Sequence, residues 1–159
     1  LQDEFSSHEH AFKLGEFLNY TAFTAVADTV NIGVLSSAVR AFVEELAYTE
    51  DVCYNTDLVV SEALTNVMLH GFKDKRPEPA QLTVLAFQHG VGVLIEDWGS
   101  SIPAHVLSKM HHEHSFQDDL SLGDLPEGGM GLAFMRMVSR RFVYQAKQNQ
   151  RGNRLLLLL

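Results

Sequence analysis

The chain has 159 residues, of which 46% are hydrophobic and 20% charged, a composition that argues against a disordered, collagen-like or disulfide-stapled protein. Its 12 basic and 20 acidic residues give a net charge of −8, the opposite sign from that expected of a protein that neutralises nucleic-acid phosphates. The single cysteine allows no intrachain disulfide, no signal-peptide pattern opens the chain, and the longest wholly apolar run is residues 155–159. We therefore expect one cytoplasmic domain without direct nucleic-acid or membrane contact.

The first half of the chain predicts one strand, two helices and a hairpin, in that order. β-Branched and aromatic residues predict a strand over 20–26, and apolar residues at helical spacing predict a helix over about 34–46. A second helix is expected from about Thr56 to His70. Two further strands, within 81–96, flank a turn at His89-Gly90.

The second half predicts a long loop followed by a helix and two closing strands. Residues 98–130 are rich in glycine and histidine and show weak periodicity, which is typical of a loop that is either functional or disordered. A helix over 132–138 and strands over 142–146 and 154–159 complete a βααββ-loop-αββ order. This order predicts an α/β sandwich with helices on one face of a mixed sheet. The first 18 residues match no element and count as an extension of a domain formed by residues 19–159.

Three motifs have residue types that could perform chemistry. In the first, Glu62, Asn66 and His70 lie at i, i+4 and i+8 of the second predicted helix, so that their side chains share one polar strip. A carboxylate and an amide one turn apart can polarise a hydroxyl and bind a hard cation such as Mg²⁺. A half-exposed helix shows the same residues without any function, and this alternative stays open.

The second motif is Ile95-Glu96-Asp97-Trp98-Gly99, at the end of a predicted apolar strand. A carboxylate in that position can accept a hydrogen bond from a ligand amino group, and a nearby glycine lets a flat ring approach. An ordinary strand-ending turn uses the same residue types, and this alternative also stays open.

The third motif is Glu127-Gly128-Gly129-Met130-Gly131-Leu132, directly before the predicted helix over 132–138. Glycines at the start of a helix expose backbone N–H groups and tolerate close approach, a recurring solution for binding phosphate. The motif matches neither the P-loop nor the dinucleotide-binding fingerprint, and a flexible hinge is the alternative.

The order and spacing of the three motifs resemble those of the GHKL, or Bergerat-fold, ATPase superfamily. Residues 61–71 look most like the N box of the bacterial anti-sigma-factor serine kinases, residues 95–99 match the G1 box, and residues 127–132 match the G2 box. Residues 152–155 are similar to the closing strand of that subfamily. The resemblance covers about residues 20–159 and implies an α+β two-layer sandwich, with a mixed, largely antiparallel sheet and an ATP lid at about 100–128.

The resemblance also implies roles for individual residues. Glu62 would be the general base, Asn66 would hold Mg²⁺, and Asp97 would accept from the adenine amino group with Gly99 beside the ring. The other residues expected to contact ATP are His70, Ile102, Gly128, Gly129, Met130, Gly131 and Leu132. Phosphoryl transfer relies on such positioning and charge neutralisation.

The function that the resemblance implies is that of an ATP-binding anti-sigma factor with serine-protein kinase activity. Such a protein phosphorylates an anti-anti-sigma (STAS-type) partner, sequesters a sigma factor, and commonly forms a homodimer. One alternative is the ATP-binding domain of a sensor histidine kinase, although the chain lacks the phosphoacceptor pattern after His8 and the Gly-Thr expected at 152–153. Another is a non-catalytic, nucleotide-dependent binding switch.

Two departures from the family pattern affect these expectations. Ser101 stands where many relatives have the last glycine of the G1 box, which implies a stiffer entry to the lid. The expected lid is acidic and histidine-rich, so basic groups near the γ-phosphate would come from Lys73, Lys75, Lys109 or a partner.

Overall fold

Five strands form one sheet in the order β1-β2-β3-β5-β4, and each neighbouring pair runs antiparallel. The computed structural model describes residues 17–112, 130–148 and 151–159. The strands are β1 (Asn19–Val26), β2 (Pro79–Phe87), β3 (Gly90–Asp97), β4 (Arg141–Gln145) and β5 (Asn153–Leu158). The α+β sandwich and the largely antiparallel sheet expected from the sequence are therefore confirmed.

Four α-helices occur in the described part of the chain, and they begin and end at identifiable residues. They are α1 (Thr29–Glu45), α2 (Glu50–Asn66), α3 (Ala104–His112) and α4 (Met130–Val138). Asp28 caps α1 by accepting from the backbone N–H of Asn31 at 2.8 Å, and Thr49 caps α2 in the same way. None of these helices has both the length and the apolar character that crossing a bilayer requires.

Three of the predicted elements differ from the structure. The first helix begins at Thr29, five residues before the predicted start, where Asp28 supplies the N-cap. The second helix begins at Glu50, six residues before the predicted start, because Thr49 supplies an N-cap that the apolar pattern alone does not reveal. It ends at Asn66, where a π-helical turn, Val67–Gly71, continues the chain. The prediction of a continuous loop over 98–130 is wrong at Ala104–His112, which forms α3. The carbonyl of Pro103 accepts from two N–H groups of its first turn.

The helices pack on one face of the sheet, as the order of elements predicts. Helix α2 lies between α1 and α4 and contacts β3, so it occupies the centre of the helical layer. Alternate residues of the central strands point towards it, and fully buried examples are Val84, Val93 and Leu157. Asp97 and Asn153 continue this alternation at the ends of β3 and β5, where they form a cross-strand pair on the helical face. Strand period and register thus place a polar pair under the end of α2.

Ala47, directly after α1, yields a test of backbone strain. It has a φ of 58°, and no other non-glycine residue in the described ranges has a positive φ. This left-handed conformation costs an L-residue roughly 1–2 kcal/mol, whereas glycine adopts it freely. Because glycine also gains entropy in the unfolded chain, we expect Ala47→Gly to raise the free energy of unfolding by only about 0.5–1 kcal/mol.

Urea denaturation measures the effect, and Ala41→Gly is the matched control. Ala41 is exposed in the interior of α1, so its replacement should lower the free energy of unfolding by about 1 kcal/mol. Equal destabilisation by both substitutions would contradict the strain at Ala47.

Candidate functional site

A cavity of about 610 Å³ opens where the end of α2 meets the ends of β3 and β5. Its closed end is apolar and buried, and its mouth is polar and exposed. The lining residues used below are Asn66, His70, Lys73, Ile95, Asp97, Ser101, Ile102, His105, Leu132, Tyr144 and Leu155. The cavity thereby brings together five residues expected to contact ATP, namely Asn66, His70, Asp97, Ile102 and Leu132. Lys73, one of the basic residues expected near the γ-phosphate, lines it as well.

Asp97 is the carboxylate of the closed end, and only 8% of its surface is exposed. Its Oδ1 accepts from the backbone N–H of Gly99 at 2.8 Å and from Nδ2 of Asn153 at 3.0 Å. Oδ2 accepts no hydrogen bond from the residues that the structure describes. Burial raises the pKa of Asp97, while these two hydrogen bonds and the nearby Lys147 ammonium act in the opposite direction.

Asn153 holds this carboxylate in place and has no unused hydrogen-bonding atom. Its Oδ1 accepts from the Lys147 backbone N–H at 3.0 Å and from Ser101 Oγ at 2.7 Å. Its Nδ2 donates to Asp97 and, at 3.1 Å, to the carbonyl of Gly99. A backbone N–H can only donate, so the contact with Lys147 identifies the oxygen of the amide and fixes the side-chain orientation.

The turn after Asp97 lies directly against the end of the π-helical turn. Ser100 N–H donates to the carbonyl of Gly71 at 2.7 Å, and Lys147 Nζ donates to the carbonyl of Gly99 at 2.9 Å. A Cβ on Gly99 would lie 2.6 Å from the Cα of Gly71, so no side chain fits between the two segments. The requirement for glycine here comes from backbone packing; the placement of Gly99 beside a ligand ring stays a prediction.

Asn66 and His70 reach the cavity from the junction of α2 with the π-helical turn. Nδ2 of Asn66 is buried and has no hydrogen-bond partner among the described residues. A buried amide group without a partner is costly in a folded protein. His70, one turn later, is exposed at the mouth. π-Helical turns occur often at functional sites.

Glu62 lies one turn before Asn66 and outside the cavity lining, against the first turn of α4. An added Cβ on Gly131 would overlap with Oε2 of Glu62, so the carboxylate of Glu62 lies directly against the backbone of Gly131. A carboxylate at a helix N-terminus is favoured by the helix dipole. Met130, the first residue of α4, is 54% exposed, and Leu132 is buried in the core. Gly128 and Gly129 lie outside the described residues.

The chain enters the expected lid under tight restraint. The backbone N–H of Ile102 donates to the hydroxyl of Tyr144 at 2.9 Å, and Ser101 is tied to Asn153. Burial raises the pKa of the Tyr144 phenol, which keeps the hydroxyl protonated at neutral pH. The first residues after Gly99 are thus bonded to β4 and to the start of β5.

The mouth of the cavity is basic although the protein is acidic overall. Lys73, His70 and His105 line it, and none of them forms an ion pair with a described residue. The buried Asp97 is the one carboxylate among the lining residues. This arrangement suits a ligand with a hydrogen-bond donor at its apolar end and negative charge at its other end.

Reasoning from the sequence missed Tyr144, Lys147, His105 and Asn153 as parts of the site. The similarity of residues 152–155 to a family closing strand was the available signal for Asn153. Its pairing with Asp97 follows from the register of β3 with β5, which no local pattern specifies. Tyr144 and Lys147 reach the site only through the β4–β5 pairing.

Comparisons with known proteins agree with this fold. The family model of the histidine kinase-like ATPase domain matches residues 25–158. The chain is 28% identical to an anti-sigma F factor of Bacillus licheniformis over 134 residues, covering 74% of this chain and 90% of that protein. It is 22% identical to the serine-protein kinase RsbW of the same species over 117 residues, covering 74% of this chain and 72% of the relative. An anti-sigma F factor of Clostridium novyi is 30% identical over 98 residues, 62% of this chain and 64% of its own length. The chain belongs to the histidine kinase-like ATPase domain family.

Proposed function

We propose that the protein is an ATP-dependent serine-protein kinase that acts as an anti-sigma factor. Membership of an ATPase-domain family implies ATP binding, and relatives named as a serine-protein kinase and as anti-sigma F factors support the finer assignment. The observation that carries the proposal is the buried carboxylate of Asp97, with one oxygen left for a ligand at the apolar end of a cavity whose mouth is basic.

Adenine occupies the closed end in this proposal. Its flat, apolar ring suits the buried side chains of Ile95, Leu132 and Leu155, and its exocyclic amino group donates to Oδ2 of Asp97. Ile102 lies at the start of the restrained segment that borders the ring. A carboxylate that is already held by two hydrogen bonds needs little reorganisation to accept a third.

The phosphates lie towards the mouth, near His70, Lys73 and the first turn of α4. The donors there include the N–H groups of Met130, Gly131 and Leu132, with Gly128 and Gly129 proposed to complete the group. Asn66 fits a role at Mg²⁺: the Nδ2 of its amide has no hydrogen-bond partner among the described residues, and amide oxygens are preferred ligands of hard cations. When bound, Mg²⁺ would neutralise phosphate charge, with phosphate oxygens and water as its other ligands.

Glu62 is the proposed general base. It lies one turn from Asn66 on α2 and against the start of α4, which places its carboxylate beside the proposed phosphate-binding N–H groups. Its task is to accept the proton of an attacking serine hydroxyl as the γ-phosphoryl group is transferred. The acceptor is a serine of an anti-anti-sigma (STAS-type) protein, and a sigma factor competes with that protein for the kinase, which acts as a cytoplasmic homodimer.

For the proposed site, the first prediction concerns the effect of Asp97→Asn on ATP affinity and on the free energy of unfolding. The amide presents N–H donors to the adenine amino group, so ATP affinity should fall at least about 10-fold by calorimetric titration. Because burial raises the folded-state pKa of Asp97 above its unfolded value, ionised Asp97 opposes folding. This penalty is absent below the unfolded pKa and grows as pH rises through the folded pKa.

At pH 7, urea denaturation should therefore give Asp97→Asn a free energy of unfolding equal to or higher than that of the wild type. Any advantage of Asp97→Asn over the wild type should shrink as the pH falls. Unchanged ATP affinity in the folded variant would remove Asp97 from the adenine site.

The second prediction concerns Glu62→Gln. The substitution keeps the side-chain volume beside Gly131 and removes the base, so phosphoryl transfer should fall about 100-fold or more while ATP affinity changes little. Transfer is measured with γ-labelled ATP and an anti-anti-sigma protein from the same genome, and ATP hydrolysis is followed without an acceptor. Glu45→Gln, at the exposed end of α1, is the matched control. Full transfer by Glu62→Gln would exclude this residue as the base.

The third prediction concerns Asn66→Ala. Removal of the amide should weaken ATP binding in the presence of Mg²⁺ at least about 10-fold and leave the much weaker binding measured with EDTA nearly unchanged. Calorimetric titrations in both buffers give the comparison. An unchanged dependence on Mg²⁺ would show that Asn66 is not a ligand. A wild-type protein that binds Mg-ATP without transferring phosphate would instead be a nucleotide-dependent binding switch.

A further inference from the structure

We infer that Asn153 determines the base specificity of the nucleotide site by leaving Asp97 with a single oxygen for the base, which admits adenine and excludes guanine. The inference rests on the proposed binding of ATP and concerns a residue that the three motifs do not contain. This specificity depends on which lone pairs of the Asp97 carboxylate already accept hydrogen bonds and on which of them do not.

A carboxylate offers two oxygens with two lone pairs each. Both lone pairs of Asp97 Oδ1 are taken, one by the N–H of Gly99 at 2.8 Å and one by Nδ2 of Asn153 at 3.0 Å. Oδ2 alone lacks a donor among the described residues. The carboxylate therefore accepts further donors only at Oδ2 and cannot bind two donors side by side across both oxygens.

Adenine and guanine differ in just this respect. Adenine presents its exocyclic amino group as a donor, and one carboxylate oxygen satisfies it. Guanine in the same orientation would place its O6 acceptor against Oδ2, where two acceptors repel. In a shifted orientation guanine presents two adjacent donors, N1–H and the 2-amino group, which pair best with both oxygens of a carboxylate. Asn153 prevents guanine from binding in this second orientation, because its amide already donates to Oδ1.

Asn153 cannot release Oδ1 without breaking other contacts. It is 1% exposed, and its two amide atoms take part in four hydrogen bonds, to Asp97, Gly99, Ser101 and Lys147. Rotation of the amide would turn its N–H group towards the N–H of Lys147, leaving two donors opposed in a buried site. Asn153 is thus a positioning residue whose effect on the base is exerted through Asp97.

The test is the ratio of GTP to ATP dissociation constants, measured by calorimetric titration of the full chain with Mg²⁺. We expect the wild type to prefer ATP by at least roughly 100-fold. Asn153→Ala removes the amide and opens space beside Oδ1, so the ratio should fall to roughly 10-fold or less, whatever happens to the ATP affinity itself. A purely structural role would weaken both nucleotides equally and leave the ratio unchanged, which would overturn the inference.

The matched control is Asn31→Ala, which removes an asparagine that also makes side-chain hydrogen bonds, to Asp28 and Val26, at the start of α1. Its GTP-to-ATP ratio should equal that of the wild type. If Asn153→Ala does not fold, Asn153→Ser, which also lacks the amide, takes its place with the same expected fall in the ratio. If the wild type binds ATP and GTP equally, the inference is overturned but the proposed function stands. If it binds neither nucleotide, the proposed function is overturned.

Discussion

The structure of the site depends on one constraint, the burial of the Asp97 carboxylate at the end of a central strand. A charged group in this position is tolerated only if hydrogen bonds replace its lost hydration. The turn to Gly99 supplies one of them and the first residue of β5 supplies the other. Both donors approach the same oxygen, so the second oxygen remains available at the cavity. The hydrogen bonds that stabilise the buried Asp97 carboxylate therefore also leave its second oxygen free for the proposed recognition of a base.

The contact between Gly71 and Gly99 connects this carboxylate to the end of α2. Because the two backbones touch without intervening side chains, the π-helical turn cannot shift without moving the turn that follows Asp97. Asn66 precedes that turn and His70 lies within it, so the two sides of the cavity are joined by direct backbone contact. Interiors packed at this density transmit displacement, which explains how the distance between the proposed base-binding and metal-binding groups is maintained.

The mouth of the cavity has a lysine and two histidines although the whole chain is acidic. The protein carries −8 overall, yet Lys73, His70 and His105 meet at the mouth without an acidic partner among the described residues. Such a local concentration of basic groups attracts an anion even when the net charge is negative, since exposed charges beyond a Debye length are screened. With an acceptor at the closed end and basic groups at the open end, the cavity imposes one direction on a nucleotide.

The sequence by itself determined the class of fold, most strand positions and the three motifs, because these depend on periodicity and on residue types close together in the chain. It could not reveal the α3 helix within an expected loop, since Ala104–His112 is short, has only three large apolar residues and stands in a stretch rich in histidine and glycine. Only the tertiary structure decided that Asn153 and Tyr144 belong to the site, because antiparallel register brings distant positions of the chain together. The tertiary structure alone also explains why Gly99 must lack a side chain. Gly71, whose backbone leaves no room for a Cβ on Gly99, is nearly thirty residues away in sequence but in direct contact in the fold.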